Sequence, residues 1–195
     1  MKSFAFAFLA SSCVCLSAGY AGDDGGGNVS LGAAAPPVCS FRAAPRQLSA
    51  TNMTLAGAGL QSGQIDVTQL TDASTARLKS ASIQIEILGI CNRPHYLSLM
   101  TNRGGLAPEE QVTVAGGTFS RHVNYRAEVL WGGRSVILQT DATPGKKSPA
   151  GLIDGANDGA LNLSVIIDGA TNDMTLPTAG GVYSDSLIVQ IGLPL

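Results

Sequence analysis

Ile83-Gln84-Ile85-Glu86-Ile87, running on through Leu88-Gly89-Ile90 to Cys91, decides the fold. Apolar and polar residues alternate with a period of two, the pattern of a strand with one buried and one solvated face. Cys91 falls in the same phase as Ile83, Ile85 and Ile87, which places it on the inward face, where a bridge to another strand can form.

The same period recurs on either side. Val123, Tyr125, Ala127, Val129 and Trp131 alternate against His122, Asn124, Arg126, Glu128 and Leu130. Leu161, Leu163, Val165 and Ile167 make a further set, and Leu187, Val189, Ile191 and Leu193 the last. Shorter strands are expected at Val38–Leu48, Gln64–Leu70, Tyr96–Met100, Gln111–Ala115 and Arg134–Gln139. Gly-Gly, Pro-Gly and Asp-Gly pairs punctuate them as turns. No segment carries an amphipathic helix of three turns, so the expected class is all-β, an antiparallel sandwich.

The N-terminus adds a compartment. Lys2, an apolar stretch from Phe4 to Leu16, and the small residues ending Gly19-Tyr20-Ala21 have the layout of a cleavable secretory signal over residues 1–21. The stretch is short for a bilayer, which needs about 20 apolar residues. No later run is long enough to span a membrane, so one exported domain is expected, with no membrane span. Cys13 and Cys15 leave with the signal; Cys39 and Cys91 remain. Two cysteines in an exported chain are expected to pair, the alternative being two buried thiols.

The composition excludes several kinds of chemistry. Net charge is −2 and only 13% of residues are charged, without the clustered Lys and Arg that phosphate binding requires. No cofactor or metal is expected, since two cysteines and two distant histidines lack ligand spacing. His95, beside Pro94, and His122, on the outward phase of its strand, are expected at the surface, and no G-x-S-x-G motif accompanies them. Asp154-Gly155-Ala156-Asn157-Asp158-Gly159 looks like a calcium loop but has Ala156 at the third ligand position and Val165 where a bidentate Glu is required. A turn is expected there, and no enzyme.

Residues 22–37 form a Gly- and Ala-rich leader ending in Pro36-Pro37. Val29, Leu31, Ala33 and Ala35 share one phase, so the leader reads either as a linker or as a short strand able to complete a neighbour's sheet.

Several stretches then resemble one family. They are Val38-Cys39-Ser40-Phe41, then Ile85–Leu88 leading to Cys91, and Tyr96-Leu97-Ser98-Leu99. The terminal run Gly180-Gly181-Val182-Tyr183-Ser184-Asp185-Ser186-Leu187-Ile188-Val189-Gln190-Ile191 is the most specific. Over residues 38–195 the chain resembles the spore coat protein U family, which includes subunits of archaic chaperone–usher pili. Asn124-Tyr125-Arg126-Ala127 is similar to the Leu-x-Tyr-x-Leu strand of that family.

The resemblance implies an immunoglobulin-like antiparallel β-sandwich lacking its final strand, with an exposed groove and an unpaired edge. It implies a periplasmic chaperone that lends a strand, an outer-membrane usher, and other pilus subunits as partners. The chain would pass through the periplasm to a fimbria on the cell surface. Val29, Leu31, Ala33 and Ala35 are then the donor strand, and Phe41, Leu187, Val189 and Ile191 line the acceptor groove. Tyr183 and Asp185 form a structural corner. The alternatives are a self-contained secreted coat protein and an adhesive, ligand-binding tip.

Overall fold

The computed structural model describes residues 32–109, 119–169, 176–177 and 182–192. The signal segment, Val29, Leu31, Leu193 and the strand expected at Gln111–Ala115 lie outside the described residues. Two compact units are delimited, 1–35 and 36–195. Of the first, residues 32–35 are exposed and belong to no strand; the second carries everything below.

Its strands in chain order are β1 (Cys39–Phe41), β2 (Arg46–Thr51), β3 (Met53–Gly59), β4 (Ser62–Val67) and β5 (Ala81–Cys91). There follow β6 (His95–Thr101), β7 (Ala107–Pro108), β8 (Phe119–Ser120), β9 (Arg126–Trp131) and β10 (Arg134–Gln139). The last are β11 (Gly151–Ile153), β12 (Asn157–Ile167), β13 (Leu176–Pro177), β14 (Tyr183–Ser184) and β15 (Leu187–Gly192). Among the described residues there is no helix.

The larger sheet has the order β1-β5-β12-β9-β10. Its two long central strands pair antiparallel from Ala81↔Ile167 to Cys91↔Asn157. β1 and β2 share the outer edge of β5 in succession, β1 along its last residues and β2 along Ser82–Glu86. Pro45, without an N–H to give, stands in the break between them. The smaller sheet is β11-β6-β15, again antiparallel, and β3–β4 is a separate hairpin. All pairings are antiparallel apart from the two-residue contact of β13 with β8.

Inward phases of the two sheets meet in one core. Ile83, Ile85, Ile87 and Cys91 of β5 are buried, as are Leu161, Leu163, Val165 and Ile167 of β12. Val123 and Tyr125 keep the expected inward phase, although pairing as a strand begins only at Arg126. Trp131 packs flat on the backbone of β5: a Cβ on Gly89 would stand 3.2 Å from its Cζ2, so glycine is the residue that permits the approach. The range Val38–Leu48 is two strands rather than one, and Gln64–Leu70 belongs to a strand that starts and ends earlier.

Two histidine expectations need correction. His95 opens β6 on the same phase as Leu97, Leu99 and Thr101, so it is fully buried, not a surface residue. Its Nδ1–H donates to the Arg93 carbonyl at 2.8 Å and its ring lies 4.8 Å from that of Trp131. His122 is half-buried in the segment before β9 rather than on a strand's outward face. Asp154-Gly155-Ala156 is the short connection from β11 to β12, as a turn reading requires. No helix among the described residues is long and apolar enough to cross a membrane.

Candidate functional site

The smaller sheet has three strands among the described residues, fewer than the larger one. Among the described residues β15 pairs with β6 alone, which leaves its other edge open. Beside that edge lies a groove of about 660 Å³. Its floor is the inward face of β5 and β12, chiefly Ile85, Ile87, Leu163 and Val165; Leu187 and Val189 line one side and Leu55, Ile65 and Val67 the other. A native interior holds few voids larger than a water molecule, so a trough of this size, as the described residues line it, is a surface groove rather than a packing defect.

β15 alternates as its sequence predicts. Leu187, Val189 and Ile191 are half-buried and pack on the core, while Ile188 and Gln190 face out. Of the four residues expected to line an acceptor groove, Phe41, Leu187 and Val189 border this one. Ile191 packs on the core and is not part of the groove lining. Of the expected donor residues, Ala33 and Ala35 are exposed and unpaired with any strand, and Val29 and Leu31 are outside the described residues.

At one end of the groove the chain is locked by Asp185. Its carboxylate accepts from the Thr101 hydroxyl, from Tyr125 Oη–H at 2.9 Å, and from the backbone N–H groups of Arg103 (2.8 Å), Gly105 (3.1 Å) and Ser186 (2.8 Å). Thr101 in turn receives the N–H of Gly104 at 2.9 Å. The lock therefore joins the loop after β6, the approach to β9 and the start of β15. Burial pushes the Tyr125 hydroxyl well above its usual range, and the Asp185 charge adds to the shift against a hydrogen bond with Thr101. Tyr125 gives its hydroxyl to Asp185, and Tyr183 pairs with Pro108 between β14 and β7 and lines the groove.

At the opposite end, Cys39 and Cys91 are bridged across a directly opposed β1–β5 pair. The bridge closes a span of 52 residues, worth about 4 kcal/mol in the chain-entropy account. It holds β1, and with it Phe41, on the core sheet at the mouth of the groove.

The hairpin wall was not legible as part of a site. Met53–Gly59 is rich in Ala and Gly, so it lacks the large alternating residues that mark a strand. Leu55, Ile65 and Val67 were the available signal. No cluster of three or more metal-ligating side chains occurs among the described residues. No family model matches the chain, and neither a curated protein nor a solved structure matches it.

Proposed function

We propose that the chain is a structural, non-catalytic subunit of a surface fibre, exported to the periplasm and joined to its neighbours by donor-strand complementation. The observation that carries this reading is the open apolar edge: among the described residues β15 pairs on one side alone, and the space beside it is a groove floored by the hydrophobic core. In this reading the domain is an immunoglobulin-like sandwich short of one strand, in keeping with its resemblance to the spore coat protein U family. A periplasmic chaperone holds the groove until an outer-membrane usher exchanges it for residues 22–37 of the next subunit.

The dimensions suit such an occupant. Val29–Ala35 extended spans about 23 Å at ~3.3 Å per residue, and β15 about 20 Å. Burying Val29 and Leu31 contributes about 1.5–3 kcal/mol each, and the main-chain bonds of an added strand come on top. The alternating apolar side chains enter the groove while their small neighbours Ser30, Gly32 and Ala34 face outward.

The test is association of the exported chain, residues 22–195, with and without residues 22–37. Multimers of the longer form that survive SDS, absent after the deletion, are the expected result. Stable monomers of both forms would overturn strand donation and favour a self-contained coat protein.

A further inference from the structure

We propose that β10 is a separate interaction edge, where the chain pairs antiparallel with β10 of a second copy about a two-fold axis through Ile137.

The phase of β10 shows which of its backbone groups are free. Gly132 and Gly133, with φ +55° and +75°, make the tight turn between β9 and β10. A two-residue turn of this kind is flanked by a hydrogen-bonded pair, here Trp131↔Arg134. The N–H of Thr140 donates to the Tyr125 carbonyl at 3.0 Å, in the same phase. Arg134, Val136, Leu138 and Thr140 therefore direct their backbone groups to β9. Those of Ser135, Ile137 and Gln139 point the other way, and among the described residues no strand pairs with them. β11 lies nearby without pairing: a recess of about 460 Å³ is bounded by residues 134–137 on one side and 149–152 on the other.

An edge strand invites pairing unless charge, proline, a bulge or shortness blunts it, and β1, β2, β4 and β11 are all blunted so. β1 and β11 are three residues long, each close behind a proline. β2 begins with Arg46 and is bulged between Gln47 and Ser49, and β4 carries Asp66. β10 has six residues in unbroken register with β9, and no charge or proline from Ser135 to Gln139. Its one charged residue, Arg134, is turned to the smaller sheet, where its Nε–H donates to the Leu152 carbonyl at 3.0 Å. Ile137, at the centre of the free edge, is 44% exposed.

This edge is complementary to itself. In the antiparallel register centred on Ile137, that residue faces its own copy and Ser135 faces Gln139. The opposed pairs exchange about six main-chain hydrogen bonds. The two isoleucines, each exposed in a lone chain, cover one another on the solvent face, as an isologous contact requires. Arg134 comes opposite Thr140 of the second copy, next to Asp141, so opposite charges meet at both ends of the pair. The nearest like charges flanking the axis are Glu128 of each copy, which stands opposite Ile137 on β9. Three strand spacings, about 14 Å, separate them, more than the screening length of ~8 Å. β10 and β15 belong to different sheets, so this contact is independent of strand donation.

Cysteines placed in the exported chain, residues 22–195, test this under mild oxidation, read as disulfide-linked peptides. Opposed residues of such a pair have Cα atoms about 5.5 Å apart, within the range a disulfide spans. Ile137→Cys is expected to link to itself, which occurs only between two copies. Ser135→Cys, with about 14 Å between its two copies, is expected to link to itself at least about tenfold less. A mixture of Ser135→Cys and Gln139→Cys chains is expected to link across. Adding Ile137→Lys to both chains of that mixture should cut the link about fivefold, and Ile137→Lys in one with Ile137→Glu in the other should restore it. No link at Ile137→Cys, or equal linking at every position, overturns the proposal, as does a crossed link indifferent to these charges. Links with the expected pattern in a chain that forms no SDS-resistant multimers leave this edge standing while strand donation falls.

Discussion

Replacing Asp185 is expected to loosen the domain more than any other single polar substitution in the described structure. The carboxylate takes five donors, and three of them, the hydroxyls of Thr101 and Tyr125 and the N–H of Gly105, belong to buried residues. Asp185→Ala leaves both hydroxyls and the N–H groups of Arg103 and Gly105 without their acceptor. An orphaned buried donor costs about 1–3 kcal/mol. Asp185 itself is half-buried, so water replaces part of what is lost. The net loss is expected to be about 4 kcal/mol for Asp185→Ala, and about 2 kcal/mol for Asp185→Asn, which keeps one acceptor oxygen.

Urea unfolding read from Trp131 fluorescence is the assay, since the chain has a single tryptophan and it is buried. At about 2–4 °C per kcal/mol for a domain of this size, the melting temperature of Asp185→Ala should fall by about 10 °C. A change below about 0.5 kcal/mol for both variants would refute the claim that this carboxylate holds the start of β15.

Three other substitutions or conditions follow from the same geometry. Gly104 has φ +80° and an added Cβ would meet the Thr143 backbone at 2.4 Å, so Gly104→Ala should cost about 3 kcal/mol or more in urea. Removing the bridge with Cys39→Ser and Cys91→Ser should cost up to about 4 kcal/mol, measured as a lower urea midpoint under non-reducing conditions. The raised pKa of folded Tyr125 means that the unfolded chain loses this proton first, near its ordinary value of 10.0. Stability should be level in this respect below pH ~10 and fall as pH rises beyond it; Tyr125→Phe should flatten that fall, visible in urea midpoints taken between pH ~9 and ~11.5.

Periodicity carried most of the fold. The phase of Ile83–Ile87 and Cys91 placed β5 and its cysteine, and Arg134–Gln139 was delimited to the residue, because large residues on one face of a half-buried strand leave an unambiguous period of two. The same logic failed for His95: Pro94 marks a turn, yet the next residue already belongs to β6, and burial beside Trp131 follows from strand phase rather than from residue type. β3 escaped because Ala56, Gly57, Ala58 and Gly59 give no contrast between faces. The groove was legible on one side only. Phe41, Leu187 and Val189 were expected there because the family resemblance implies a groove beside the first and last strands and these residues were read as inward. The opposite wall depends on where the hairpin folds back, a long-range outcome that no local period encodes. The acceptor role of Asp185 could be anticipated from its turn position, but its tyrosine partner lies 60 positions away.

The central claim, that the open edge of β15 receives the leader of another copy, is tested most directly by photo-crosslinking in a mixture of isotopically light and heavy exported chains. A diazirine analogue of leucine at position 187 keeps the shape of the side chain that lines the groove. The account predicts crosslinks to peptides from residues 22–37, and in half of them a light chain joined to a heavy one. Crosslinks confined within single chains, or mixed ones that avoid residues 22–37, would contradict it.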